Sequence, residues 1–183
     1  AEFREIVTRE AIAAIDGARA AGATEIWVKD AHDSGRNLIT PMLPADVTLI
    51  REWSGHPYSM IQELDESFAA LVMIGHHAGV GSEGNSLAHT LNTRTHMMTL
   101  NGKPVSEFRL CALAAASLGV PVAFISGDKA LMEEVEQTNP HIGRLAVKEG
   151  RGQSTISMTP LAAQNAIRAG VEKSLRGKLK DCL

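Results

Sequence analysis

The apolar positions of this chain follow two periods, helical and extended, that take turns from one end to the other. Over residues 8–21, Ala11, Ile12, Ile15 and Ala18 recur at helical spacing, with Thr8 as a candidate N-cap and Gly22 as a stop. Residues 25–28 and 47–50 read as short strands, and residues 58–64 as a short helix. Residues 68–74 (FAALVMI) are apolar without a break, as in a parallel strand covered on both faces. Residues 93–100 read as a strand turning at Asn101-Gly102, a dipeptide suited to a type I′ hairpin. Pro104 suits the first turn of a helix reaching Leu118, with Phe108, Cys111, Leu113 and Ala114 packed. Residues 121–125 form another buried strand, 128–136 a helix and 145–147 a strand, and Thr159-Pro160 opens a last helix to about Leu175. This alternation predicts an α/β fold in one domain over residues 1–183: a mostly parallel sheet with helices on both faces, in three layers.

Composition narrows the function classes. The 183 residues are 44% hydrophobic and 21% charged, ordinary values for a soluble domain. A net charge of -3 gives no global footprint for nucleic acid or a membrane surface, so neither is an expected partner. No apolar run approaches the ~20 residues of a spanning helix. Two cysteines suit a reducing compartment, and the cytoplasm is the expected location. The chain starts at Ala1 without a methionine and stops shortly after a helix, which predicts processing or membership of a longer polypeptide.

Candidate chemistry gathers between Ile74 and Glu107, where four of the seven histidines lie. His32 and His77 each follow a predicted strand, and ligands of open α/β sheets collect at such carboxyl ends. Glu107 lies near the start of a predicted helix. Imidazole and carboxylate are the usual zinc donors, and a hydrolytic zinc site keeps a position open for water. Each residue also has a plain structural use, as a cap, a core histidine or a carboxylate favoured by a helix dipole. His89 is a candidate acid/base, or else a loop histidine. His76 and His77 are neighbours on a strand, so at most one faces a common site. His56, His96 and His141 read as structural, with His96 on a strand. Gly79, Gly81 and Gly84 match G-x-G-x-x-G, but no long helix follows, so nucleotide binding is not expected. Cys111, in mid-helix, is badly placed for a nucleophile.

In order, WVKDAHDSGRNL, MIGHHAG, SLAHTLN, LNGKPVSEFRL and ISGDKALMEEVE resemble the bacterial DppA-type D-aminopeptidases, and the similarity covers essentially the whole chain. The resemblance implies a binuclear zinc peptidase, with two Zn2+ per complete subunit, that removes N-terminal D-amino acids, notably D-alanine, from short peptides. It also implies a homo-oligomer, a decamer of stacked pentamer rings. By this resemblance His32 and Glu107 share one zinc, His77 binds the other and His89 is catalytic. His76 stands where an aromatic residue is common, and Asp30 is placed to orient a ligand. The family's Ser-x-Asp-x-Glu-Gly segment, with its bridging Asp and a further Glu, does not occur in these residues. The resemblance therefore implies three of five metal ligands here and a chain incomplete at both ends. Two other readings stay open: an inert family member or fragment that binds peptides or assembles with other subunits, and a metal amidohydrolase of nicotinamidase type.

Overall fold

The computed structural model describes residues 2–183. In chain order it contains α1 (Glu2–Ala20), β1 (Trp27–Lys29), β2 (Thr48–Ile50), β3 (Leu71–His76), β4 (Thr99–Leu100), β5 (Lys103–Pro104) and α2 (Glu107–Ser117). There follow β6 (Val122–Asp128), α3 (Lys129–Thr138), β7 (Gly143–Arg151), β8 (Ser154–Ser157) and α4 (Pro160–Leu175).

Residues of β6 are buried at every position, because this strand lies inside the main sheet, ordered β3-β6-β7-β8. Its pairings with β3 and β7 are parallel, and β8 closes the far edge antiparallel to β7. One face of the sheet is covered by α1 and α4, where Ala13, Ala14, Ile167 and Val171 pack with Phe124 of β6. The other is covered by α2 and α3, whose Phe108, Cys111, Leu131 and Val135 pack with Met73, Val122 and Ile125. The result is the three-layer α/β arrangement expected from the alternation of periods.

A parallel pair, β1 and β2, forms a separate two-stranded sheet. The sides of β1 and β3 not used for these pairings have no strand partner among the described residues. Both strands line one cleft of about 390 Å³, with Val28 on one wall, Leu71 and Ile74 on the other, and His32, His77 and Glu107 also on its surface.

Several elements differ from the sequence reading, each for a tertiary reason. The first helix begins at Glu2, and Thr8 is no cap: it sits fully buried in mid-helix. Its hydroxyl donates to the Arg4 carbonyl at 2.6 Å and accepts the Ile39 N–H at 3.0 Å, so a distant loop uses it. Within residues 58–64 only a single 3-10 turn, Ser59–Ile61, is helical. Of residues 93–100 only Thr99 and Leu100 are extended, so His96 is not on a strand. The turn itself is as expected, with Asn101 and Gly102 at φ 53° and 77°. Pro104 ends that hairpin, and α2 starts later, with the Ser106 hydroxyl accepting the Arg109 N–H at 3.2 Å. Leu113 is half exposed; Phe108, Cys111 and Ala115 make the buried stripe instead. No helix is long and apolar enough to cross a membrane among the described residues.

Candidate metal centre

The site is assembled where the carboxyl end of β3 meets the amino end of α2. His77 leaves β3, and Glu107 is the first residue of α2. The intervening loop folds back between them. Gly79 lies so close to Ser106 that an added Cβ would meet its Cα at 2.9 Å, which brings the His77 segment onto the start of α2. Fully buried Thr90 ties the loop's two ends together: its hydroxyl accepts the Val80 N–H at 3.1 Å and donates to the Val105 carbonyl at 3.0 Å.

Three side chains converge as a consequence. The Nδ1 of His77 lies 2.9 Å from the Ala78 carbonyl, and that of His89 lies 2.8 Å from the Leu87 carbonyl. A carbonyl can only accept, so each ring turns a protonated Nδ1 to the backbone, which in a neutral imidazole leaves the Nε2 lone pair free. The two rings stand 4.3 Å apart between centroids, tilted by 36°. Glu107, 7% exposed, accepts the Leu91 N–H at 2.9 Å and places Oε1 3.9 Å from His89 Nε2. One donor atom from each of His77, His89 and Glu107 lies within 4.8 Å of the others. Donors about 2.1 Å from a tetrahedral ion are roughly 3.4 Å apart, so a small contraction gives a three-donor site with a fourth position free. Two neutral imidazoles and one carboxylate are a donor set that zinc accepts.

Of the residues singled out in the sequence, His77, Glu107 and His89 are brought together. His32 is not in that group. It is exposed on the cleft's rim, with its ring centroid 5.6 Å from that of Phe3. Asp30, 4% exposed, spends its carboxylate on the Asn37 and Leu38 N–H groups at 2.6 and 2.8 Å. Asn37 in turn donates to the His32 carbonyl, so Asp30 shapes the turn carrying His32 through the backbone rather than through the ring. Burial, and then the like charge that His77 carries when protonated, push the His76 pKa down to about 4, so that ring is neutral beside the site.

The geometry also removes two alternatives. Burial, and then Glu107, push the Cys111 thiol up to about 12, which leaves very little thiolate near neutral pH for nucleophilic chemistry of the nicotinamidase kind. The Gly79–Gly84 stretch opens no helix, and Gly84 packs against Ala130 instead, so it makes no phosphate cradle. Asn85, Thr90 and Asp128 also hold this region, although none stands out in the sequence as a candidate site residue. Only Asp128 carried a signal, as an acidic residue directly before a helix.

The chain is similar to known proteins along nearly its whole length. The family model described as D-aminopeptidase matches residues 1–181. A D-aminopeptidase of Bacillus subtilis (strain 168) is 31% identical over 180 residues, which are 97% of this chain and 64% of the relative. Among solved structures, the Zn-dependent D-aminopeptidase DppA from Bacillus subtilis, a self-compartmentalizing protease, matches with a TM-score of 0.88 and 28% identity. That match covers 94% of this chain and 62% of the other. The chain thus spans a little under two thirds of the length of the relatives it matches.

Proposed function

This chain belongs to the D-aminopeptidase family, and from that premise we propose that it is a zinc-dependent hydrolase releasing N-terminal D-amino acids, of the D-alanine kind, from short peptides. The observation that carries the reading is the convergence of His77, His89 and Glu107 at the edge of the cleft. Zinc held there would bring a bound water's pKa toward neutrality and polarise the scissile carbonyl. Of the three side chains that could bind an ion, His77 and Glu107 hold it in this reading, and His89 is left free to handle the proton. Its Nδ1 proton is anchored on the Leu87 carbonyl, so the Nε2 lone pair is presented to the site, able to take a proton from the attacking water and then pass it to the leaving amine. Glu107 contributes the negative charge, held in place by the Leu91 N–H.

The proposal extends to two zinc ions per complete subunit. His32 is a ligand for the second, with carboxylates supplied by a segment outside the described residues. The unpaired sides of β1 and β3 give such a segment an extended seat beside both histidines. By analogy with the self-compartmentalizing relative, the protein works as a homo-oligomer enclosing its sites, for which the family resemblance implies a decamer. We place it in the cytoplasm, where its two unpaired thiols stay reduced.

A second reading, an inert subunit that binds or assembles, is favoured by one observation: His32 stands outside the three-donor group. Hydrolysis separates the two. The hydrolase reading expects D-alanine release from D-Ala-D-Ala, none from L-Ala-L-Ala, and loss of activity on chelation and in His89→Ala. Undiminished turnover in His89→Ala, or no turnover by zinc-loaded protein, supports the inert reading.

A further inference from the structure

We propose that Asp128 is a positioning residue for the metal centre, its carboxylate locking the His77 and His89 imidazoles into one relative placement. Asp128 is the last residue of β6 and is 1% exposed. Its Oδ1 accepts the Leu131 N–H at 2.8 Å and caps α3. Capping needs one oxygen only. The other oxygen, Oδ2, accepts two donors that lead to the two histidines.

The first donor is the N–H of Ala78 at 2.8 Å, the peptide directly after His77 and the residue whose carbonyl receives the His77 Nδ1 proton. The second is the Asn85 side-chain amide at 2.7 Å. Asn85 passes the constraint on, since its Oδ1 accepts the Leu87 N–H at 2.8 Å and the Leu87 carbonyl receives the Nδ1 proton of His89. One buried oxygen is therefore shared by both arms of the donor set. All three partners of Asp128 are donors, and no cation pairs with it among the described residues. A carboxylate accepts from all three at once with charge-assisted bonds, whereas an amide would have to point its own N–H at one of them. Partners one shell outside a metal ligand fix its tautomer and direction in this way.

The consequence for zinc rests on the hydrolase reading; the placement of the rings does not, and the test keeps them apart. Asp128→Ser preserves an N-cap for α3 but is too short and uncharged to hold Ala78 and Asn85. Asn85→Ala cuts only the His89 arm. Long-range ¹H–¹⁵N spectra of the metal-free intact protein report the tautomer of each histidine ring. Wild type is expected to show fixed Nδ1–H forms for His77 and His89, Asp128→Ser averaged forms for both, and Asn85→Ala an averaged form for His89 alone. In chelator competition Asp128→Ser is expected to bind zinc about 10- to 100-fold more weakly than wild type. Fixed rings with wild-type zinc affinity in a folded Asp128→Ser would make Asp128 a helix cap and nothing more. Should Asp128→Ser not fold, Asn85→Ala decides, and a fixed His89 there overturns the inference. A wild type that binds no zinc contradicts the hydrolase reading, while the spectra still decide the role of Asp128.

Discussion

Glu107 Oε1 stands 3.9 Å from His89 Nε2 while accepting the Leu91 N–H at 2.9 Å. The carboxylate is thus held by the backbone of the same loop that carries His89, and its remaining capacity faces the imidazoles. Glu107→Gln keeps the size and the acceptor for Leu91 but removes the charge. The expected outcome is a folded protein whose zinc affinity falls at least about tenfold, read by chelator competition alongside a thermal melt. Unchanged affinity would remove Glu107 from the donor set.

Close packing of Gly79 on the start of α2 gives a second test. A methyl group there would lie 2.9 Å from the Ser106 Cα and 3.0 Å from its Cβ, neither of which can swing aside. Gly79→Ala is expected to push the loop off α2, costing about 1–3 kcal/mol of stability in denaturant unfolding and loosening the donor set with it. A variant as stable as wild type would show that the contact is slack.

Cys111 makes a third. Its thiol is 5% exposed and pushed up to about 12 by burial and then by Glu107. At pH 8 about one molecule in ten thousand would carry the thiolate, the form that reacts. Native protein is expected to leave Cys111 unmodified by a disulfide reagent over a time in which unfolded protein reacts fully. Prompt modification of Cys111 in the folded state would contradict the packing of α2.

What the sequence disclosed and what it hid divide along a physical line. Long one-period runs were legible: α4 opens at Pro160 as expected, and β3 follows from the apolar run 68–74. The ends of β3 were not, because pairing with β6 carries the strand through polar His76, opposite Gly127, and leaves Phe68 outside it. Likewise β8 is exposed throughout and polar but for Ile156, an edge strand paired with β7, so no hydrophobic period announces it. Thr8 looked like a cap because local spacing cannot show a bond to Ile39, 31 residues away. The site behaved in the same manner. His77, His89 and Glu107 were recognisable as residue types in family motifs. That His89 stands among the donors depends on Thr90, Gly79 and Asp128, whose contacts span 10 to 50 residues. Why His32 lies apart was equally invisible, since the cleft between β1 and β3 is a property of strand order.

The most direct measurement of the central claim is anomalous diffraction from the zinc-loaded intact protein, recorded on both sides of the zinc edge. The account expects a peak bonded to His77 Nε2 and Glu107, with His89 Nε2 facing it, and a second peak within reach of His32. An absence of peaks at these side chains, with zinc only at surface positions or nowhere, would contradict it.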